Sequence, residues 1–554
     1  MAGVSVEFEH SVGNSVVPDG VCFHPNGENF LYCAGWNIGI GDLTNPHSQR
    51  FLRGHNGHLT CLTISPSGRY VASGQEGENS DIFVWDFETS EKIYSFEEHD
   101  YKIQSLSFSH DEKILASIGN TDDGNLIVWD LSNGAIIASA ARIPAGTNCV
   151  MNGGFVRDIK RRDTDHYQIC TGARDGVTLW DLDPYTGDMT SEKLAGDPRA
   201  SIAREVTALS FSHDKELLFA ATSSGDYMIG SLKARRIKKT VQATKQGLGA
   251  ISCYRGGLVV GGGDGTLTTF DDVEPFTARS KTTLDGSAVI GVSLSSDHLE
   301  VISILASTAA GSVYRVNLET MSQITISESH TSGVVAVAFP AHTSERFASA
   351  SRDGSVRIWD LVDYAVISTG KTRNNRYIAS PVCICYADYV ISGWTDGSVI
   401  AHDPDTGDIM WSIGDAHQGE VSAIVLSHNN RFLLTGGEHG EIRLWEMRSR
   451  DLVSHMKEHT QRVTGLQLFE SDTTLSSSSK DRSILRWDLR TEKRLFSHIQ
   501  RMGAVNALML SKDQTHVVSV GQEKRMTYWD INAANPVHAI SLDGENDEGK
   551  CIAR

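Results

Sequence analysis

Three side chains between residues 459 and 481 could do hydrolytic chemistry: His459, Ser477 and Asp481. A hydroxyl, an imidazole and a carboxylate in one hydrogen-bonded chain supply a nucleophile, its base and the group that orients the base. Ser477 to Lys480 also reads S-x-x-K, the nucleophile motif of penicillin-binding enzymes. Gly261-Gly262-Gly263-Asp264-Gly265 resembles a phosphate loop, and Cys383 and Cys385 stand two apart as thiolate ligands can. Each candidate fails on a specific count. The glycine run lacks the Lys-Ser/Thr of a P-loop and precedes a strand pattern rather than a helix. Two cysteines without a second pair do not make a zinc site, and on a strand they share one face and read as buried. The Ser, His and Asp are not single. With a following Trp they recur as His55, Ser73, a displaced Asp81 and Trp85; as His99, Ser117, Asp123 and Trp129; as His330, Ser349, Asp353 and Trp359; and as His459, Ser477, Asp481 and Trp487. An active site is not copied along a chain, whereas a structural device is. The aspartate slot tolerates change, with His439 and Glu523 in two later copies.

The elements that must position these groups are short strands. His330 to Asp360 reads as three of them: Val334 to Phe339, Phe347 to Ser351 and Ser355 to Trp359. Val356 and Ile358 alternate on one face of the last, and Arg352-Asp353-Gly354 is a tight turn in which glycine supplies positive φ. A sheet this small cannot bury its faces alone and needs copies stacked beside it. The slot of Trp359 recurs forward at His402, Trp445, Trp487 and Trp529, in steps of 43, 43, 42 and 42 residues. Backward it falls at Val316, Phe270, Gly230, Trp180, Trp129, Trp85 and Gly41, in steps of 43, 46, 40, 50, 51, 44 and 44. This period with a terminal Trp-Asp is the signature of WD-repeat propeller blades, four strands each. The fold expected is therefore all-β: two tandem WD-repeat β-propellers with twelve recognisable four-stranded blades. Twelve exceed the usual four to eight of one ring, so two rings are needed.

The units fall into seven and five. The expected domains are an N-terminal propeller over residues 1–328, a C-terminal propeller over 329–541 with five recognisable blades, and an acidic flexible tail over 542–554. Val4 to Phe8 alternates and is a candidate strand for ring closure. Unit four carries an insertion, Arg157 to His166, which maps to a loop on one face. Units five to seven lack the marker Trp but keep Gly225, Gly265 and Gly311.

With 50 Lys and Arg against 69 Asp and Glu, the net charge is −19. That argues against duplex nucleic acid, which needs a basic face, and against an anionic membrane. Neither a long apolar run nor a secretory leader is legible, and nine scattered cysteines without a C-x-x-C read as reduced and intracellular. No catalytic residue, cofactor, metal or small-molecule substrate is expected. Against the acidic background stand three basic clusters: Lys160, Arg161 and Arg162; Arg235, Arg236, Lys238 and Lys239; and Arg373 and Arg376. They are candidate contacts to an acidic protein partner.

Finer features extend the reading over nearly the whole chain. They include VASGQEGENSDIFVWDF (Val71 to Phe87) with an insertion before its Asp, and GNTDDGNLIVWDL (Gly119 to Leu131). Further on come LGAISCYRGGLVVGGGDGTLTTF (Leu248 to Phe270) and VISGWTDGSVIAHDPDTGDIMWSIGDAHQGEVSAI (Val390 to Ile424). In this order of strong and degenerate blades the chain resembles the cilia- and flagella-associated protein 52 family. The resemblance implies a non-enzymatic microtubule inner protein in the B-tubule lumen of ciliary doublets, near the inner junction. Its partners there would be α/β-tubulin and other inner proteins. The family has fourteen blades, seven and seven, and this chain shows twelve units. A second ring of five closes as such, stays open, or is completed by a partner's strand. The rival reading is a cytosolic double-propeller adaptor resembling actin-interacting proteins.

Overall fold

The computed structural model describes residues 10–541 except 142, 158–162, 197–203, 296–302, 341–342, 344, 372–378, 501–502 and 534. The expected closing strand Val4 to Phe8 and the tail 542–554 lie outside the described residues. Every described element is a β-strand or a turn, and the strands pair antiparallel with their chain neighbours. They make twelve four-stranded blades, spanning 21–52, 59–96, 99–141, 149–193, 206–242, 248–283, 289–327, 334–371, 381–413, 421–457, 463–499 and 505–541.

Blade eight shows why these residues fold this way. In its third strand, Ser355–Asp360, Val356 and Ile358 are buried in the seam toward blade nine with Val390 and Trp394. The turn between its second and third strands needs a left-handed residue, supplied by Gly354 at φ 81°. Blades eleven and twelve put Arg482 and Lys524 there, at φ 72° and 54°. Outermost strands, such as Pro536–Ser541, are exposed, and the core lies in the seams between blades.

The inserted residues after Val71 are ordered strand. Tyr70–Asp86 and Lys92–Phe108 each run 17 residues, and Glu76, Gly77, Asn79 and Ser80 pair with Lys102, Tyr101, Asp100 and His99. Blades two and three thereby merge into one six-stranded sheet.

The chain divides into two compact units, Met1–Thr331 and Ser332–Arg554. In the first, blade one meets blade seven and closes the ring. Val21, Phe23, Phe30 and Tyr32 share a core with Leu305 and Val313, and the Phe23 N–H donates to Ser293 Oγ at 2.9 Å. No strand is exchanged between these two blades among the described residues; they are joined by packing, side-chain bonds and the Asp19 N–H donating to Ile290 O at 3.3 Å. In the second unit the first blade has an uncovered face. Val334 and Val337 on its innermost strand and Phe339 just after it are 51%, 53% and 57% exposed. The residues in register with them, Val463, Leu466 and Leu468 of blade eleven and Val505, Leu508 and Leu510 of blade twelve, are buried against the preceding blade.

Candidate functional site: polar struts and contact surfaces

In blade eleven the indole of Trp487 donates to Ser477 Oγ at 2.8 Å, and His459 Nε2 lies 2.8 Å from the same oxygen. His459 Nδ1 faces Asp481 Oδ2 at 3.0 Å and Ser483 Oγ at 2.9 Å. Burial would raise the Asp481 carboxyl, but bonds from His459, Ser483 and the Thr460 N–H hold it well below the usual range. Blade three repeats the chain. Trp129 and His99 meet on Ser117 Oγ at 2.9 and 2.8 Å, and His99 Nδ1 meets Asp123 Oδ2 at 2.6 Å.

These are Ser–His–Asp chains in the wrong place for catalysis. Ser477 and Ser117 are fully buried, and an indole N–H already occupies each hydroxyl oxygen. A nucleophile must reach its substrate; these hydroxyls pin the second strand of a blade to the third and to the incoming connection.

Two blades build the strut from residues outside the sequence pattern. In blade two, Trp85 and His55 meet on Ser73 Oγ at 3.1 and 2.7 Å, but His55 Nδ1 turns to Gln75 Oε1 at 2.8 Å. Gln75 then donates to Asp81 Oδ2 at 3.0 Å, so the displaced aspartate reaches the histidine through an amide. In blade ten, His417 and Trp445 meet on Thr435 Oγ1 at 2.8 and 2.9 Å. His439 is exposed, and the nearby acid is Glu441, which bonds Arg443 and Lys457 and lies 4.0 Å from His417 Nδ1, beyond hydrogen-bond reach. Burial lowers the pKa of both His55 and His417 to about 4. In blade eight Trp359 donates to Ser349 Oγ at 2.7 Å, Asp353 accepts from Ser355, and His330 is half-buried. In blade nine His402 fills the Trp slot, and Trp394 instead donates to Ser392 Oγ at 2.9 Å.

A central channel of about 760 Å³ runs through the first unit, walled by the innermost strands. Cys22, Cys61, Cys149 and Cys253 line it, and burial pushes each thiol up to about 12, so none offers a thiolate near neutral pH. Cys385 is raised to about 12 in the same way, and Cys383 higher. Among the described residues no three His, Cys, Asp or Glu side chains gather as a metal site.

The basic clusters divide. Lys160, Arg161, Arg162, Arg373 and Arg376 lie outside the described residues. Arg235 is committed internally, to Asp181 and to Glu192 at 2.7 Å. Lys239 ties blade five to blade six, bonding Pro275 O at 3.3 Å beneath the Phe276 ring. Arg236 and Lys238 are exposed on the outermost strand of blade five, Arg236–Gln242. The sequence pattern did not single out the apolar patch Val334, Val337 and Phe339.

Comparison with known proteins gives this geometry a context. A family model described as WD domain, G-beta repeat, matches residues 46–86, 90–130 and 321–360. A second, Vps8 beta-propeller, matches 368–498. Each WD match opens at the outermost strand of one blade and ends on the third strand of the next, so the sequence repeat straddles the blade boundary. Cilia- and flagella-associated protein 52 of Chlamydomonas reinhardtii is 30% identical over 484 residues, 84% of this chain and 74% of its own length. The Bos taurus protein of that name is 29% identical over 496 residues, 86% of this chain and 76% of the relative. WD repeat-containing protein 90 of Xenopus tropicalis is 22% identical over 472 residues, which make up 79% of this chain and 24% of that protein.

Proposed function

Because the chain belongs to the cilia- and flagella-associated protein 52 family, we propose that it is a non-enzymatic scaffold of the ciliary or flagellar axoneme. Its place would be the lumen of doublet microtubules, in the B-tubule near the inner junction, against α/β-tubulin and neighbouring inner proteins. The observation that carries this reading is the match to relatives of that name over more than four fifths of the chain. The chemistry is compatible. Polar groups that could work as a triad are spent inside the blades, and exposed loops and the uncovered face of blade eight are available to partners. In a confined lumen many modest contacts at high local concentration add up to firm attachment.

Tubulin is acidic and so is this chain, so the contact calls for basic loops. Lys160, Arg161 and Arg162, with Arg236 and Lys238 on blade five and with Arg373 and Arg376, are the proposed contacts. Changing Lys160, Arg161 and Arg162 together to Glu should lower the fraction of tagged protein incorporated into axonemes several-fold. Unchanged incorporation would remove this loop from the interface.

A further inference from the structure

At the junction of blades nine and ten a cleft of about 290 Å³ opens on one end of the second unit. Its floor is apolar, made by Ile391 and the buried indole of Trp411 from blade nine and by Leu426 from blade ten. Its rim is basic. Arg448 and Arg450 stand on the turn between the third and fourth strands of blade ten. Arg450 is held left-handed at φ 64°, and its guanidinium sits 5.7 Å from the Trp411 ring centroid. Glycine takes the matching position in blades three, four and nine, as Gly134, Gly187 and Gly407, while Ser90, Met321, Tyr364 and Glu492 take it left-handed in blades two, seven, eight and eleven. A side chain there costs backbone energy that the cation–π contact helps to offset.

The acids near the cleft bond neutral groups and not the arginines. Asp388 on its wall accepts from Asn430 Nδ2 at 3.3 Å, and Glu446 accepts from Ser449 Oγ at 3.0 Å. Neither guanidinium forms an ion pair with a carboxylate among the described residues. In a chain of net charge −19, the cleft carries two arginines against the one carboxylate of Asp388, a local excess of positive charge.

We propose that this cleft binds an acidic peptide segment carrying one large apolar side chain. The apolar side chain would enter against Trp411, Ile391 and Leu426, and flanking carboxylates would meet Arg448 and Arg450, whose planar donors suit them. The volume is at the small end for ligand sites, roughly 300–1,000 Å³, which suits one anchor residue rather than a cofactor. The inference does not depend on the axonemal reading.

The test is fluorescence anisotropy of the full chain with labelled peptides. Glu-Glu-Phe-Glu-Glu should bind saturably, and Glu-Glu-Ala-Glu-Glu and Lys-Lys-Phe-Lys-Lys at least tenfold more weakly. R448E/R450E should weaken the first peptide at least tenfold, while R490E, on the matching turn of blade eleven, should leave it unchanged. If R448E/R450E lowers the melting temperature, R448Q/R450Q replaces it, with the same loss expected. Absence of saturable binding, equal binding of the lysine peptide, or full affinity in a folded double variant would overturn the proposal.

Discussion

Ser477 Oγ accepts the Trp487 indole N–H and bonds His459 Nε2, and both partners are buried with it. Removing its hydroxyl strands them, at about 1–3 kcal/mol for an unsatisfied buried group. Ser477→Ala should therefore lower stability in denaturant unfolding by about 1–3 kcal/mol, while Ser471→Ala, on an exposed turn of the same blade, should stay within about 0.5 kcal/mol. The buried histidines add a pH dependence. His55 and His417 have folded pKa values near 4, below the unfolded value near 6.5. Between those values the unfolded chain binds more protons, so stability falls as pH drops from about 6.5 to about 4, by on the order of 3 kcal/mol per histidine. The unfolding midpoint followed across that range should show the slope, and His55→Gln should flatten it. The spacing of His, Ser, Asp and Trp was legible because it recurs. Gln75 and Trp394 were not, since each acts in one blade only, although both sit two residues beyond a strut serine and so share its face of the strand. Glu441 escaped because His439 fills the usual slot while the carboxylate beside His417 stands two residues on, 4.0 Å from its Nδ1.

At the scale of the element, a blade is stable only as far as its faces are covered. Leu466 is buried between blades ten and eleven, whereas Val337, in register with it on blade eight, faces solvent. Leu466→Ala should cost about 2–5 kcal/mol, and Val337→Ala less than about 1 kcal/mol. Equal losses in denaturant unfolding would mean that the face of blade eight is covered in solution. The strand count and period could be read in the sequence, because alternation and turn glycines are local. The uncovered face could not, since it depends on which blade precedes blade eight in space. The insertion after Val71 was visible as extra length, but its pairing with Tyr101 and Lys102 is a contact between blades that local pattern does not encode.

For the whole molecule, the family carries the functional reading, and buried seams between successive blades, spent triads and exposed loops are compatible with it. The direct measurement is the location of a tagged chain in flagellated cells, followed by salt and detergent extraction of the axonemes. Surface ion pairs are screened at high salt, with a Debye length of about 3 Å at 1 M. A protein enclosed in the doublet lumen should remain with the axoneme through that wash and leave only when the doublets dissolve. A soluble or cell-body pool, or release by salt alone, would contradict the scaffold account.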